Sequence, residues 1–326
     1  MGERGHREGR GEHDAGWPSS RAQTVAHRRR HAITLAAALG LMLGALLLGA
    51  SPGHALTLTD MQGRPVSLDA LPRRIVSLVP SVTELLFALG AEDRLIGVTD
   101  YCDFPPAARR KPSVGGMVAP SLEGIVALRP DLVVATDAGT RRGTFEQLSR
   151  LNVPVYLVHA DRMAQVVDVI SRLGEITERQ ADAAALKAQL TERIEAVVKA
   201  VGARPRPRVL YVLWPEPLIV PGRDAIVTEL ITLAGGDSIT GREPHDYPRF
   251  SLEAAVARAP EIILLARHGT GSGAIPRDRW DALTSLPAVK AGRVYAVDGN
   301  LMHRYGPRIV DGLEEIARRI HPEAYR

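Results

Sequence analysis

The sequence predicts an α/β protein with two similar βα lobes, each built on a parallel sheet, joined by a long rigid helix and separated by a cleft. One observation is a repeated phrase: residues 121–135 read SLEGIVALRPDLVVA and residues 251–265 read SLEAAVARAPEIILL. Another is that short apolar runs alternate with helical stretches around both copies, which is the pattern of βα units. Self-similarity at a long period indicates a duplicated unit, and two units predict two lobes with a cleft between them.

Three further blocks repeat in the same order along the chain. Residues 74–80 resemble 208–215, residues 83–90 resemble 228–235, and residues 155–158 resemble 294–297. From these matches we predict a leader at residues 1–55, an N-terminal α/β lobe at 56–161, a linking helical segment at 162–203 and a C-terminal α/β lobe at 204–326.

The elements of each lobe follow from apolar periodicity and turn residues. In the first lobe we predict strands near residues 74–79, 95–98, 131–135 and 154–158, and helices near 82–89, 122–128 and 143–151. Ser81 and Glu84 have the spacing of a capping box, so we expect Ser81 to be the N-cap of the first helix. In the second lobe we predict strands near 208–213, 261–265 and 293–297, and helices near 224–234, 252–258 and 308–320.

The segment between the lobes has a different character. Residues 162–201 contain no proline and only one glycine, Gly174, and their apolar positions keep helical spacing. The stretch 178–201 alone predicts a helix of about 36 Å, long enough to cross from one lobe to the other. Because a helix is stiffer than a loop hinge, we expect only small movements of the lobes.

Charge argues against a nucleic-acid partner. Of the 41 basic and 37 acidic residues, the first 55 positions hold seven arginines and four acids, which leaves 34 basic and 33 acidic residues in the remainder. The basic excess therefore belongs largely to the leader. The remainder has the apolar and charged content of a soluble globular protein long enough for two domains, and we expect a monomer.

The leader has the pattern of a secretory signal peptide. Arg28–Arg30 forms a basic start, residues 32–50 are apolar without charge, and small residues precede a cut after Ala55. Because the apolar run is long, an uncleaved anchor is the alternative. The only cysteine, Cys102, rules out an internal disulfide framework, and no cysteine follows the apolar run as a lipid-anchored N terminus requires. We therefore expect a periplasmic or otherwise extracytoplasmic protein.

The repeated phrase places one glutamate at the same position in each lobe. Glu123 and Glu253 each follow a serine in the first turn of a predicted helix, where a carboxylate interacts favourably with the helix dipole. That interaction alone explains one such glutamate. Two at equivalent places are expected on one face of the molecule, as acidic contacts for a partner with two-fold symmetry.

Aromatic and arginine side chains in loops are candidates for the cleft. Ligands of open α/β sheets bind outside the carboxyl ends of the strands, and aromatic loops there give an apolar lining. The aromatic candidates are Tyr101, Phe104, Trp214, Tyr247, Phe250 and Tyr305; covering the lobe edges is the alternative role of each. Arginines that can meet carboxylates or amides of a ligand are Arg141, Arg142, Arg242, Arg249 and Arg304.

Signals for a metal site or for catalysis are weak. No histidines have metal-binding spacing, so we predict no bare-metal site, although His245, His303 or a tyrosine can supply an axial ligand to a chelated metal. The sequence has no phosphate-binding P-loop and no GxSxG elbow, so we predict no enzyme and no resident cofactor.

Four segments resemble a known family. Residues 77–90, 97–106, 120–134 and 304–309 are similar to periplasmic substrate-binding proteins of ABC importers. The resemblance is to the group with a helical backbone between the lobes, which takes up cobalamin, haem and ferric siderophores, and within it to cobalamin-binding proteins above all.

The resemblance implies roles for individual residues. Glu123 and Glu253 dock onto arginines of the two permease subunits, which work with ATPase subunits. Tyr101 lies in the corrinoid cleft, and Tyr247 stands where the family often has a tryptophan. Met117 lies near a position that can be aromatic, and Asn300 falls where the cobalamin binder can offer an aspartate.

The leading hypothesis is capture of cobalamin or a related corrinoid and its delivery to an ABC importer. A haem or a ferric siderophore is the alternative ligand within the same class. An extracytoplasmic enzyme or sensor on this fold is the third hypothesis. The predicted ligand-binding set is Tyr101, Met117, Trp214, Tyr247, Asn300 and Arg304.

Overall fold

The computed structural model describes residues 56–137, 139–268 and 277–325. The predicted signal peptide and its cleavage site therefore lie outside the described residues and stay predictions. Within the described ranges, no helix combines the length and the apolar character that a membrane span requires.

The first half of the chain forms a four-stranded parallel sheet behind a short hairpin. The hairpin pairs β1 (Leu56–Thr59) with β2 (Pro65–Leu68), and the sheet consists of β3 (Ile75–Ser77), β4 (Leu95–Val98), β5 (Leu132–Thr136) and β6 (Val155–Val158). The strand order is β4-β3-β5-β6, and every neighbouring pair is parallel. All four strands of the predicted first sheet are confirmed, whereas the hairpin was not predicted.

The helices of this N-terminal lobe are α1 (Pro80–Ala88), α2 (Leu122–Ala127) and α3 (Arg142–Arg150). The predicted capping box at α1 is wrong. The N-cap of α1 is Val79, which makes no side-chain cap bond, and Pro80 occupies the first turn. Proline suits that position because its missing N–H has no helical partner there. Glu84 is buried and has a partner elsewhere in the fold.

The linking segment contains two helices, α4 (Met163–Ile176) and α5 (Gln180–Val201). The break lies at Glu178, whose φ of 57° is left-handed and ends regular helix geometry. The two helices pack side by side, with Lys187 of α5 donating to the Ser171 hydroxyl of α4 at 2.9 Å. Helix α5 has 22 residues, about 33 Å, and ends at Gly202, which also has positive φ.

The second half repeats the first. Its strands are β7 (Arg208–Val212), β8 (Trp214–Pro215), β9 (Leu218–Ile219), β10 (Asp237–Ser238), β11 (Ile262–Arg267) and β12 (Val294–Asp298). The main sheet has the order β10-β7-β11-β12 and is parallel throughout, while β8 and β9 form a small antiparallel pair. The helices are α6 (Ile226–Leu233), α7 (Leu252–Ala257), α8 (Arg277–Asp281), α9 (Pro287–Lys290), α10 (Gly299–His303) and α11 (Ile309–Ile320).

The duplication includes individual hydrogen bonds, which Arg74 forms in the N-terminal lobe. The backbone N–H of Arg74, which precedes β3, donates to Asp131 at 2.9 Å, and its guanidinium donates to the carbonyl of Arg129 at 3.0 Å. Arg129 follows α2 and has a φ of 46°.

The C-terminal lobe repeats this arrangement. Arg208 donates in the same way to Glu261 at 2.9 Å and to the carbonyl of Ala259 at 3.0 Å. Ala259 follows α7 and has a φ of 47°. The duplication inferred from sequence therefore extends to how each phrase is joined to its sheet.

One buried hydrophobic cluster runs through both lobes and the linking helices. It contains Leu85 of α1, Ile170 of α4, Leu190 and Val197 of α5, and Leu313 of α11. Two smaller clusters cover the other face of each sheet. Because the linking helices share a core with both lobes, the lobes are joined by packing as well as by the chain.

A buried ion pair also joins the lobes. Glu84 of α1, whose side chain is 2% exposed, accepts two hydrogen bonds from Arg308, at 2.6 and 2.9 Å. The guanidinium of Arg308 also lies 3.8 Å from the centre of the Phe104 ring, so it bridges a carboxylate and an aromatic face of the opposite lobe. Buried pairs of this bidentate geometry fix relative orientation strongly.

Glu84→Gln is expected to lower the free energy of unfolding by about 3 kcal/mol, because it leaves the Arg308 charge without its carboxylate. Urea-induced unfolding followed by circular dichroism measures this. The matched control is Glu146→Gln, which breaks the exposed pair with Arg142 and should cost less than about 0.5 kcal/mol. Equal losses in the two variants would contradict the structural importance of the Glu84 pair.

Candidate functional site

A cavity of about 1180 Å³ lies between the two lobes, and both contribute to its lining. The segments that follow β4, β6, β11 and β12 all reach it, so it stands at the carboxyl ends of the parallel strands. That edge is where open α/β sheets bind ligands. The cleft predicted from the duplication is therefore present, and its volume exceeds that of an ordinary pocket for a drug-sized ligand.

Five of the six residues predicted to bind ligand line the cavity. They are Tyr101, Met117, Tyr247, Asn300 and Arg304. Trp214 does not appear in that lining: it belongs to the β8–β9 pair, is 51% exposed, and donates its indole N–H to the carbonyl of Glu216. Whether the five residues bind a ligand stays a prediction. The position of Trp214 gives no support to a role in ligand binding.

The other sequence candidates divide in the same way. Tyr305, His245 and His303 line the cavity, and so do two further histidines, His159 and His268. Residues absent from its lining are Phe104, Phe250, Arg141, Arg142, Arg242 and Arg249. The sequence analysis did not single out several charged residues that do line it: Asp100, Asp103, Arg109, Asp161, Asp224 and Asp246. Their position just after strands or in inter-element loops is the signal that would have found them.

A hydrogen-bonded group of tyrosines and a histidine stands at one wall, where Tyr247, His303 and Tyr305 line the cavity and Tyr211 is buried behind them. The hydroxyl of Tyr211 is 2.8 Å from Nε2 of His303, and the hydroxyl of Tyr247 is 3.4 Å from Nδ1 of the same ring. Tyr247 and Tyr305 share a hydroxyl contact of 2.9 Å. Burial, with a smaller effect of His268, lowers the pKa of His303 to about 3, so this imidazole is neutral at physiological pH.

A group of charged residues connects the two lobes across the cleft. Arg304 forms an ion pair with both carboxylate oxygens of Asp103, which belongs to the other lobe, and its second contact with that carboxylate is 3.3 Å. Arg304 also donates to Asn300 at 3.2 Å and lies 3.9 Å from Glu84. The hydrogen bond from Arg304 holds the pKa of Asp103 below its usual value, so Asp103 is ionised.

His159 follows β6 and is flanked by two carboxylates. Its Nδ1 is 3.1 Å from Asp137 and its Nε2 is 3.3 Å from Asp161. Partial burial opposes protonation, but the hydrogen bonds and charges of the two aspartates outweigh it and raise the pKa of His159. Both ring nitrogens are therefore engaged with protein groups.

Glu123 and Glu253 lie outside the cavity. Each stands in the first turn of its helix, and the preceding serine caps that turn: Ser121 accepts from Gly124, and Ser251 from Ala254, both at 3.0 Å. Both glutamates are exposed, and neither forms an ion pair with a described residue. Their carboxylates are therefore available to a partner.

Cys102 is packed in the core of the N-terminal lobe. Its side chain is buried beside the hydroxyl groups of Thr83 and Thr99, with contacts of 3.1 and 3.3 Å. Burial raises the pKa of this thiol, which keeps it protonated and unreactive.

The comparison with protein families agrees with this geometry. A family model described as periplasmic binding protein matches residues 75–301, which is more than half of the chain. The chain belongs to this periplasmic binding protein family. The predicted family is therefore confirmed, and the two parallel sheets confirm the predicted fold class.

Two relatives share about a quarter of their residues with this chain. The ABC transporter substrate-binding lipoprotein YvrC of Bacillus subtilis is 28% identical over 278 residues, 83% of this chain and 87% of the relative. The vitamin B12-binding protein of Photorhabdus laumondii is 28% identical over 256 residues, 78% of this chain and 90% of the relative.

Solved structures have the same two-lobed fold. The vitamin B12-binding protein BtuF of Vibrio cholerae superimposes with a TM-score of 0.68 at 25% identity, covering 78% of this chain and 99% of BtuF. A periplasmic haem-binding protein of Pseudomonas aeruginosa gives 0.69 at 28% identity, covering 77% and 94%. The likeness therefore extends to proteins that bind two different ring-shaped chelates.

The neutral His303 predicts a specific pH dependence of stability. Between its ordinary pKa of 6.5 and its folded value of about 3, the unfolded chain binds a proton there that the folded chain does not. The free energy of unfolding therefore falls as the pH drops through this window. His303→Gln, which keeps a hydrogen-bonding group, is expected to reduce the loss of unfolding free energy between pH 7 and pH 5 by about 2 kcal/mol. Urea titrations at the two pH values measure it. His245→Gln, at an exposed position, is the control, and an unchanged pH dependence in His303→Gln would contradict the assignment.

Proposed function

We propose that this protein captures cobalamin or a related corrinoid outside the cytoplasm and delivers it to an ABC importer. The observation that carries the proposal is the cavity of about 1180 Å³ between two lobes, whose lining includes tyrosines, Met117, Asn300 and Arg304. A corrinoid is a large ring with an apolar face and a polar fringe, which suits such a lining. Relatives named as vitamin B12-binding proteins support the same ligand.

The aromatic side chains of the cleft suit a flat ring. Tyr101 is 59% exposed and Tyr247 lies on the opposite lobe, so the two tyrosines can contact a ring from different sides. Met117 adds a flexible apolar surface of the kind that adapts to irregular ligands. Asn300 and Arg304 offer amide and guanidinium groups at the rim.

Haem is the second candidate, and a specific observation favours it. Tyrosine and histidine are axial ligands of haem iron, and the cavity is lined by Tyr247, Tyr305, His245 and His303. The TM-score of 0.69 with a haem-binding protein supports the same reading. However, both ring nitrogens of His303 already meet tyrosine hydroxyls, which leaves that histidine poorly placed to bind iron.

Titration of the purified chain with aquocobalamin and, separately, with haemin tests the proposal. Isothermal titration calorimetry is expected to give a saturable one-to-one complex with aquocobalamin at micromolar concentration or below, and weaker binding of haemin. Tyr247→Ala is expected to weaken cobalamin binding by roughly tenfold, because it removes one aromatic contact surface. Phe250→Ala, an aromatic outside the lining, serves as the control. Binding of haemin alone, with a Soret shift, would replace cobalamin by haem.

We also propose that Glu123 and Glu253 are docking contacts for the two permease subunits of the importer, which work with ATPase subunits. Their equivalent positions, exposure and distance from the cavity lining support this role. Exposed charges of this kind act on association and orientation more than on the ligand site.

The double variant Glu123→Ala with Glu253→Ala is expected to keep its corrinoid affinity and to lose uptake by at least about tenfold, because the charges that orient docking are gone. Uptake of labelled cobalamin by cells that carry the cognate importer measures this, and calorimetry measures the affinity. The matched control is Glu192→Ala with Glu195→Ala, two exposed glutamates of α5. Undiminished uptake in the docking double variant would refute the assignment.

A further inference from the structure

The charges that line the cleft are unbalanced toward the acidic side. Its described lining contains five aspartates but only two arginines, Arg109 and Arg304. The aspartates are Asp100, Asp103, Asp161, Asp224 and Asp246. A ligand that enters the cleft therefore meets more carboxylate than guanidinium groups.

The two arginines share one carboxylate. Arg304, whose side chain is 15% exposed, holds both oxygens of Asp103 and has Glu84 as a second acidic neighbour at 3.9 Å. Arg109 also lies 3.9 Å from Asp103 and donates to its backbone carbonyl at 3.2 Å. The guanidinium of Arg304 is thus already occupied by the protein's own carboxylate.

Two of the aspartates have no such neutralising partner. Asp100 accepts a hydrogen bond from Ser113, and Asp246 accepts one from the backbone of Tyr247, but neither forms an ion pair with a described residue. A ligand carboxylate only accepts hydrogen bonds, so it meets repulsion at these positions. A ligand amide also donates, so it can bond to the same aspartates without a charge conflict.

We propose that Asp103 is a specificity-determining residue. It occupies Arg304, which could otherwise meet a ligand carboxylate, and it adds to the acidic lining, so that the site prefers chelates fringed with amide or cationic groups over the same chelates fringed with carboxylates. This inference rests on the proposed function and adds the chemical class of the groups at the ligand's edge. Repulsion against the unwanted ligand is as effective a source of selectivity as attraction toward the wanted one.

Two corrinoids that share a ring and axial ligands test the preference. Dicyanocobinamide carries amides at the ring edge, and dicyanocobyrinic acid carries carboxylates at the same edge. Calorimetry on the purified chain at pH 7 is expected to give at least about tenfold tighter binding of the amide form. The ratio of the two affinities is expected to decrease as salt is added, because salt screens the charges. Equal affinities would overturn the inference while leaving the proposed function intact. Binding of neither corrinoid would instead overturn the proposed function.

Two variants should move the affinity ratio in opposite directions. Asp103→Asn frees Arg304 for a ligand carboxylate, so the preference for the amide form is expected to shrink by roughly tenfold. Arg304→Gln leaves Asp103 without its cation, so the preference is expected to grow. A role of this pair in folding alone would weaken both ligands alike and leave the ratio unchanged, which would contradict the proposal.

A matched control uses an aspartate–arginine pair outside the cleft. Asp182→Asn breaks the exposed contact with Arg179 at 3.8 Å on the linking helix and is expected to leave the ratio as in the parent chain. Circular dichroism shows which variants are folded. If Asp103→Asn does not fold, the ratio in the parent chain and in Arg304→Gln still decides the proposal.

Discussion

The buried contact between Glu84 and Arg308 is the constraint on which the rest of the arrangement depends. Burying a carboxylate to 2% exposure is costly unless it has a hydrogen-bonded cationic partner, and that partner comes from the other half of the chain. The approach is close: a Cβ on Gly306 would lie 3.0 Å from a Glu84 oxygen, so a side chain there would press on the carboxylate. With this pair in place, Arg304 lies beside the same carboxylate and reaches Asp103 across the gap. The width of the cleft and the charge at its mouth therefore have one common origin.

Much of the fold could be predicted because the sequence contains an internal duplication. Strand and helix positions came from apolar runs and from blocks that recur in the same order in both halves, and the matched bonds of Arg74 and Arg208 show that the repeat is structural. Local signals failed where distant partners decide. Ser81 and Glu84 have capping-box spacing, yet Glu84 is committed to Arg308. The break in the linking segment falls at Glu178, and glutamate is not a residue type from which a left-handed conformation is predicted.

The site was predicted in part for a similar reason. Tyr101, Tyr247 and Arg304 were found because loops of open α/β sheets converge on one edge, whereas Asn300 came from the resemblance to cobalamin-binding proteins. Trp214 was placed there by the same rule, but β8 and β9 turn back as a small hairpin and leave it exposed. The acidic lining went unnoticed because a single aspartate in a loop is unremarkable by itself. Only the fold shows that five of them share one space with two arginines.

The shared core of lobes and linking helices has a consequence for the energetics of capture and release. A site already held in its binding geometry spends little free energy on closure, so the apparent dissociation constant is close to the intrinsic one. The same rigidity works against release, since thermal opening must separate a common core and a buried ion pair. Opening of the cleft is then the uphill step. Any force that opens the cleft must therefore disrupt the shared core and the Glu84–Arg308 pair together.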